Sequence, residues 1–462
     1  MKCPVCGSAT EASQNYGGKN SCPLLIAAYV LAGLAMMLNI RLSYSSAPYA
    51  LIRFQLPENL FSVFVRRMAS SLELWCLPSM LLGNIMDLGV KGGIKYIARG
   101  DTDKKWWKFG GIIIPSILCQ WLNFFTYVLL LIVYVIGGDQ GRLTMFYWVI
   151  AISGVVFGIN MTLVYSVDFY YIPVYIAGEN SFPALTSFIH YLATLMFGNR
   201  RKYNSDFLLV EIDIWVAIVI SFVAAVVWTY GYLCEVGEGV GQMKHIHPNA
   251  FDGKPSEHLI SPFLMVIVGM GLVYAIYPGI APGMIVPFYL IDKIEMVLLI
   301  ATFFPPVIVA ILRKHAPEYS PQTEYPFKKW SQYGAGYFYL SLNILIVTKI
   351  TLAAIFICSL HYRDSNISRS IVNQPKMSTA LSITFYMCHE ILLAVGFSGV
   401  IGNDGGDFIL IPQYIGALFM IFLAFYSEGY IIEYKSHDPQ HWHKDGMWYL
   451  YGYYQLNPDF LL

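Results

Sequence analysis

Residues 111–137 run 27 positions without a charged side chain, and residues 259–291 run 33. A bilayer core about 30 Å thick is crossed by roughly 20 apolar residues in a helix. Inside hydrocarbon, backbone polar groups are satisfied only within helices or closed barrels. Runs of this length exceed any buried strand or ordinary core helix. The chain is therefore read as all-α, a polytopic transmembrane helix bundle. Its 56% hydrophobic and 13% charged content agrees.

Eleven segments have this character: 23–40, 72–90, 111–137, 145–167, 172–197, 214–234, 259–281, 288–312, 336–360, 377–403 and 408–432. Two are interrupted by polar residues, 72–90 by Glu73 and Asp87 and 172–197 by Glu179, Pro183 and His190. Such groups are costly against lipid, so both helices are expected inside the bundle. Pro278, Pro282 and Pro287 break the long run from Leu259, because proline lacks the amide donor and clashes with the preceding turn. The expected organisation is a polar tail (1–22), a first half-bundle of six spans (23–234), a polar loop (235–258), a second half-bundle of five spans (259–432) and an aromatic polar tail (433–462). This 6+5 plan is carrier-like.

The 29 Lys and Arg balance 29 Asp and Glu, with no concentrated basic block of the kind phosphate backbones require, so nucleic acid is excluded as a partner. The apolar run at 23–40 is longer than the roughly 7–15 residues of a secretory leader and reads as a retained helix. Orientation is nearly silent, with 14 Lys and Arg on one side and 13 on the other. The cluster Lys91, Lys95, Arg99, Lys104, Lys105 and Lys108 favours a cytosolic second loop, which would place the possible glycosylation acceptor Asn366-Ile367-Ser368 outside. Cys3-Pro-Val-Cys6 is half a zinc knuckle, and a structural zinc site needs four ligands.

Several motifs point to chemistry and fall short. Gly396-Phe397-Ser398-Gly399 matches the GxSG of rhomboid proteases, but the only histidines after it, His437, His441 and His443, lie in the tail, so no base serves a nucleophile. Small residues for helix packing explain that segment. Gly405-Gly406-Asp407-Phe408 reads as a turn between the last two spans. No complete nucleophile–base pair or metal set exists, so no enzyme activity, metal or cofactor is expected.

Ionisable groups inside the spans are the functional candidates, since each costs about 2.5–3.5 kcal/mol at mid-membrane and faces protein or a water-filled cavity. The substrate-path candidates are Asp292, Lys349, Glu179, His190 and Glu390. Lys349, flanked by Leu345, Ile346, Val347 and Ile350, is expected either to line a path or to form a buried ion pair with a carboxylate such as Glu390.

The segment from Phe288 resembles the eighth helix of equilibrative nucleoside transporters, F-x-x-x-D-x-x-G-R-x-L, at Phe288, Asp292 and Leu298. Glu295 stands in place of its glycine and Met296 in place of its arginine. Tyr277-Pro278 is similar to the family's aromatic-proline pair in helix seven, and Ser427-Glu428-Gly429-Tyr430 to its S-N-G-Y element, with Glu428 for asparagine. The 6+5 plan is that family's layout. The chain also resembles the Tpr-related multi-spanning proteins of piroplasm parasites, in plan and in the turn at 277–282. The nucleoside-transporter resemblance implies facilitative transport of nucleosides or similar small polar solutes by alternating access, with Asp292 in the path. The partners expected are the lipid bilayer and a nucleoside-like solute, at the plasma membrane. The alternative is a multi-spanning membrane or surface protein of carrier ancestry that no longer transports, which the loss of the glycine and arginine favours.

Overall fold

The computed structural model describes residues 22–36, 47–57, 60–136, 142–199, 201–234, 245–248, 256–322, 334–362 and 365–436. Every regular element among them is helical. In chain order they are α1 (Pro23–Met36), α2 (Ala47–Arg53), α3 (Phe61–Tyr96), α4 (Asp101–Lys108), a π-helical turn (Phe109–Ile113), α5 (Ile114–Ile136), α6 (Leu143–Val167), α7 (Ile172–Phe197) and α8 (Ser205–Leu233). Then follow α9 (Ile260–Gly271), α10 (Val273–Ile276), α11 (Phe288–Ala301), α12 (Phe304–His315), α13 (Gly334–Ser341), α14 (Ile344–His361), α15 (Asn366–Val372), α16 (Pro375–Gly402) and α17 (Leu410–Ser436).

Among the described residues, eight helical segments are long and apolar enough to cross a membrane. Each of the other three expected segments also falls on a helix: α1 is a shorter apolar one, and α3 and α7 carry polar residues along their length. The apolar side chains left exposed, such as Ile344, Val347 and Ile350 on α14, are those a lipid environment would cover.

Several boundaries differ from the sequence reading: α8 begins at Ser205 rather than 214, the span expected at 336–360 is two helices, Gly334–Ser341 and Ile344–His361, and two further differences are larger. The helix expected at 72–90 spans Phe61–Tyr96 and absorbs Arg66 and Arg67, which the pattern had left in a loop. Arg66 is tolerated there because its charge is met inside the same helix, as described below. The single helix expected at 288–312 is two, parted near Thr302, where Pro305 and Pro306 supply no amide to the carbonyls a turn earlier. The break expected around Pro278 and Pro282 is present, with α10 ending at Ile276 and α11 beginning after Pro287.

Glycines set the closest helix crossings. A Cβ on Gly33 of α1 would lie 2.2 Å from the Tyr175 carbonyl oxygen of α7, and one on Gly178 of α7 would lie 2.2 Å from the Val30 oxygen of α1. Gly154 and Gly158 of α6 make the same approach to α3, against the carbonyls of Leu72 and Cys76. Four-residue glycine spacing lets backbones meet where lipid supplies no hydrophobic drive. Gly396 and Gly399 of α16 pack in the same way on α9 at Pro262 and Val266, and Ser398 is buried.

Helices up to α8 pack mainly on one another, as do those from α9 onward. The two groups meet where α3 touches α17 and α7 touches α11, α12 and α16. Side-chain contacts gather the element ends into two sets. At one end Asn403 donates to the His258 carbonyl, Lys91 to the Asp407 carbonyl and Lys108 to the His247 carbonyl. At the other, Tyr134 donates to the Asp206 carbonyl and Arg53 stacks over Phe207. The N-terminus of α1 lies with the first set, beside Gly231 of α8. The C-terminal part of α17 lies with the second, where Tyr430 meets His361.

Candidate functional site

The site begins with the stripe that the glycine contacts leave on α3. Leu72, Cys76 and Ser79 face α6, so Glu73 is turned toward the second group of helices. Arg66 lies seven residues, about two turns, before Glu73 and therefore on the same face. Its Nη2 donates to Glu73 Oε2 at 2.7 Å, with the two side chains 0% and 3% exposed. Its Nη1 donates to the carbonyl oxygen of Tyr274 in α10 at 3.1 Å. Residue 278, four positions on, is a proline without an amide proton, so the helix cannot serve the Tyr274 carbonyl itself. The broken helix thus creates the acceptor that an arginine from the other group fills.

Between the two groups lies a cavity of about 780 Å³ of atom-free space, its open mouth included. From the first group it is lined by Glu73 and Cys76, by Phe157 and Tyr165 of α6, and by Glu179 and Asn180 of α7. From the second come Tyr274 together with Tyr386, His389, Glu390 and Phe397 of α16. Three carboxyl groups and an imidazole therefore face it, and no lysine or arginine is among its lining. Glu73 Oε1 has no hydrogen-bond partner among the described residues.

The expected residues fall in different places. Glu179 and Glu390 line the cavity. Lys349 is fully buried behind it: Nζ donates to the Gly269 carbonyl of α9 and stands 5.2 Å from the Phe385 ring centroid. Cavity-lining His389 donates from Nδ1 to that same oxygen at 2.7 Å. A carbonyl only accepts, so the proton of a neutral His389 sits on Nδ1. The contact ion pair expected between Lys349 and Glu390 does not form, because the Gly269 carbonyl and the Phe385 ring take the ammonium instead. His190 is off the cavity, hydrogen-bonded through Nδ1 to Asp213 Oδ2 of α8 at 2.9 Å. Asp292 is on α11, and its side chain lies outside the described residues. Glu295 accepts a hydrogen bond from the Tyr277 hydroxyl, and the Tyr277 ring packs at 4.5 Å on Tyr386.

Glu73 and Arg66 were missed as site residues because a helix start at residue 72 separated them. Read as helix from 61, their seven-residue spacing pairs them. The tyrosines carried no signal, being ordinary bundle filler in composition.

One end of the bundle carries a cluster of charged residues. Lys91 of α3 bonds Asp87 Oδ2 at 2.8 Å and donates to the Asp407 carbonyl at 3.2 Å, in the 3₁₀ turn Gly406–Phe408. Gly406 abuts Phe169 of the turn between α6 and α7. Asp168 caps that turn, accepting from the Tyr170 amide at 3.0 Å. Burial pushes the Asp168 carboxyl above the usual carboxylate range, and His247 and Lys108 pull it partly back. No group of three or more His, Cys, Asp or Glu side chains among the described residues is arranged to hold a metal ion.

Fold and site define a multi-pass helical membrane protein with a largely apolar central cavity that carries carboxyl groups in its lining. No family model matches the chain, and no curated protein matches it. Among solved structures it is similar to a bacterial homologue of the iron transporter ferroportin in an outward-facing state, over 90% of this chain and 99% of that one, at 12% identity and TM-score 0.37. A bacterial ferroportin homologue in an outward-facing state with soaked iron matches over 89% of this chain and 100% of that one, at 11% identity and TM-score 0.33. Both scores are too low to equate the two folds or to transfer a cargo.

Proposed function

We propose that the chain is a solute carrier in which the half-bundles 23–234 and 259–432 move against each other around the central cavity. The observation that supports this most is the origin of the lining: Glu73 and Glu179 come from one group of helices, Glu390 and His389 from the other. A solute held there touches both, which is what alternating access requires. The crossing contacts at either side, Lys91 to the Asp407 carbonyl and Arg66 to the Tyr274 carbonyl, are non-covalent bonds that a rocking motion can break and remake.

The solute is small and presents hydrogen-bond donors to the carboxylates. A nucleoside meets this through its ribose hydroxyls and can stack on the cavity's aromatic rings, so nucleosides belong in the test. Asp292 on α11 is proposed as a path residue on the resemblance alone. Asp292→Asn should then cut flux while leaving surface abundance, measured by biotinylation of intact cells, near normal.

Uptake of labelled nucleosides, amines, sugars and organic acids by sealed vesicles bearing the purified chain tests the reading. Saturable uptake of any one supports a carrier. The absence of flux across the whole panel, with correctly folded protein, would leave the multi-spanning protein without transport activity.

A further inference from the structure

We propose that the cavity binds a small organic cation bearing alkyl groups, a refinement that rests on the carrier reading above. The lining carries three carboxyl groups, Glu73, Glu179 and Glu390, from three different helices, and no Lys or Arg. Arg66 engages only one oxygen of Glu73. The other, Oε1, belongs to a side chain 3% exposed and has no hydrogen-bond partner among the described residues, although Glu73 lines the cavity. An anion entering this space meets like charge. A neutral solute can donate a hydroxyl or amide proton to that oxygen but leaves the carboxylate charge uncompensated, and a buried charge without a counter-charge is costly. A cation supplies both the charge and, if protonated, the donor.

The remaining lining selects among cations. Phe157, Tyr165, Tyr386 and Phe397 offer ring faces and edges, which attract ammonium groups. Met80, Met161, Met270 and Met420 supply soft apolar walls that suit alkyl substituents. A metal ion would need a converging ligand set, and the described residues contain none. Carboxylates, aromatic rings and thioethers around one space fit an amphipathic ammonium ion better than a bare inorganic one.

The full chain, purified in detergent and also sealed into vesicles, would be tested with choline, tetramethylammonium and putrescine. Dimethylbutanol, the uncharged carbon isostere of choline, and uridine are the neutral controls. At least one cation should raise the melting temperature saturably. If that cation is choline, dimethylbutanol should need about tenfold more or fail. Glu179→Gln and Glu390→Gln, each judged against its own unliganded melting temperature, should raise the half-saturating cation concentration about tenfold. Equal responses to choline and dimethylbutanol would overturn the cation assignment. So would flux of uridine with no response to any cation, which would leave the carrier reading standing. Cation-dependent stabilisation without flux would do the reverse, and no response to any probe would overturn both.

Discussion

Arg66 of α3 donates to the Tyr274 carbonyl at 3.1 Å, an acceptor that residue 278, a proline without an amide proton, cannot serve. The same guanidinium holds Glu73 at 2.7 Å, so one fully buried cation joins a cavity carboxylate to the broken helix of the opposite group. Removing one member of a buried pair strands the other, at a cost of about 3–5 kcal/mol. Glu73→Gln is therefore expected to lower the melting temperature sharply, and adding Arg66→Met should restore more than half of the loss. If the double variant melts no higher than Glu73→Gln, the two residues are not energetically coupled.

The crossing of α6 on α3 depends on bare backbone at Gly158, where a Cβ would lie 2.4 Å from the Cys76 carbonyl oxygen. Gly158→Leu forces those helices apart and should cost at least about 1–3 kcal/mol. Gly429, whose Cβ would meet nothing within 4 Å, is the control. Gly429→Ala should leave folded yield unchanged. Equal yields for both variants would mean the crossing is loose.

Lys349 meets a carbonyl and a ring instead of a contacting carboxylate, so Lys349→Met breaks no contact ion pair. Its cost should be about 1.5–3 kcal/mol, the range for a hydrogen bond to a charged group. His389 still serves the Gly269 oxygen. A loss as large as that of Glu73→Gln would show that the ammonium balances a charge after all.

Ser256 lies with the end that contains Asn403 and Asp407, and Ser436 at the end of α17 with the other. Cysteines introduced as Ser256→Cys and Ser436→Cys should label from opposite sides of the membrane, only one of them in intact cells. Labelling of both without permeabilisation would require an even number of crossings. The sequon at Asn366 should stay unmodified in either orientation, because it opens helix α15 with Ser368 buried and capped by Ser365.

Asp168 has its pKa raised on folding, so the folded chain binds more protons than the unfolded chain between the ordinary aspartate value, 3.8, and the raised one. Stability then falls as pH rises through that window, and above it the buried charge burdens the fold. Asp168→Asn keeps an oxygen for the Tyr170 amide and removes the charge. It should melt higher than the parent at pH 8, with the advantage shrinking toward acid. A variant that melts lower at pH 8 would mean Lys108 and His247 outweigh burial.

The sequence determined the class of fold on its own, because length and hydropathy suffice to specify a helix in hydrocarbon. It placed helix at every expected segment and the break at Pro278, since proline acts through its own missing donor. It also marked Glu179 and Glu390, because carboxyl groups within apolar runs stand out wherever they point. The cavity was decided only by tertiary structure. Whether a charge faces lipid, a partner or a cavity depends on helix rotation and crossing, which the glycines of α1, α6 and α7 fix by backbone contact rather than by any pattern of hydropathy. Hence His190 and Lys349, alike in sequence as isolated charges, separate in the fold: one meets Asp213, the other a carbonyl behind the cavity. Arg66 emerged only when the Tyr274 carbonyl, 208 residues away, was brought beside it.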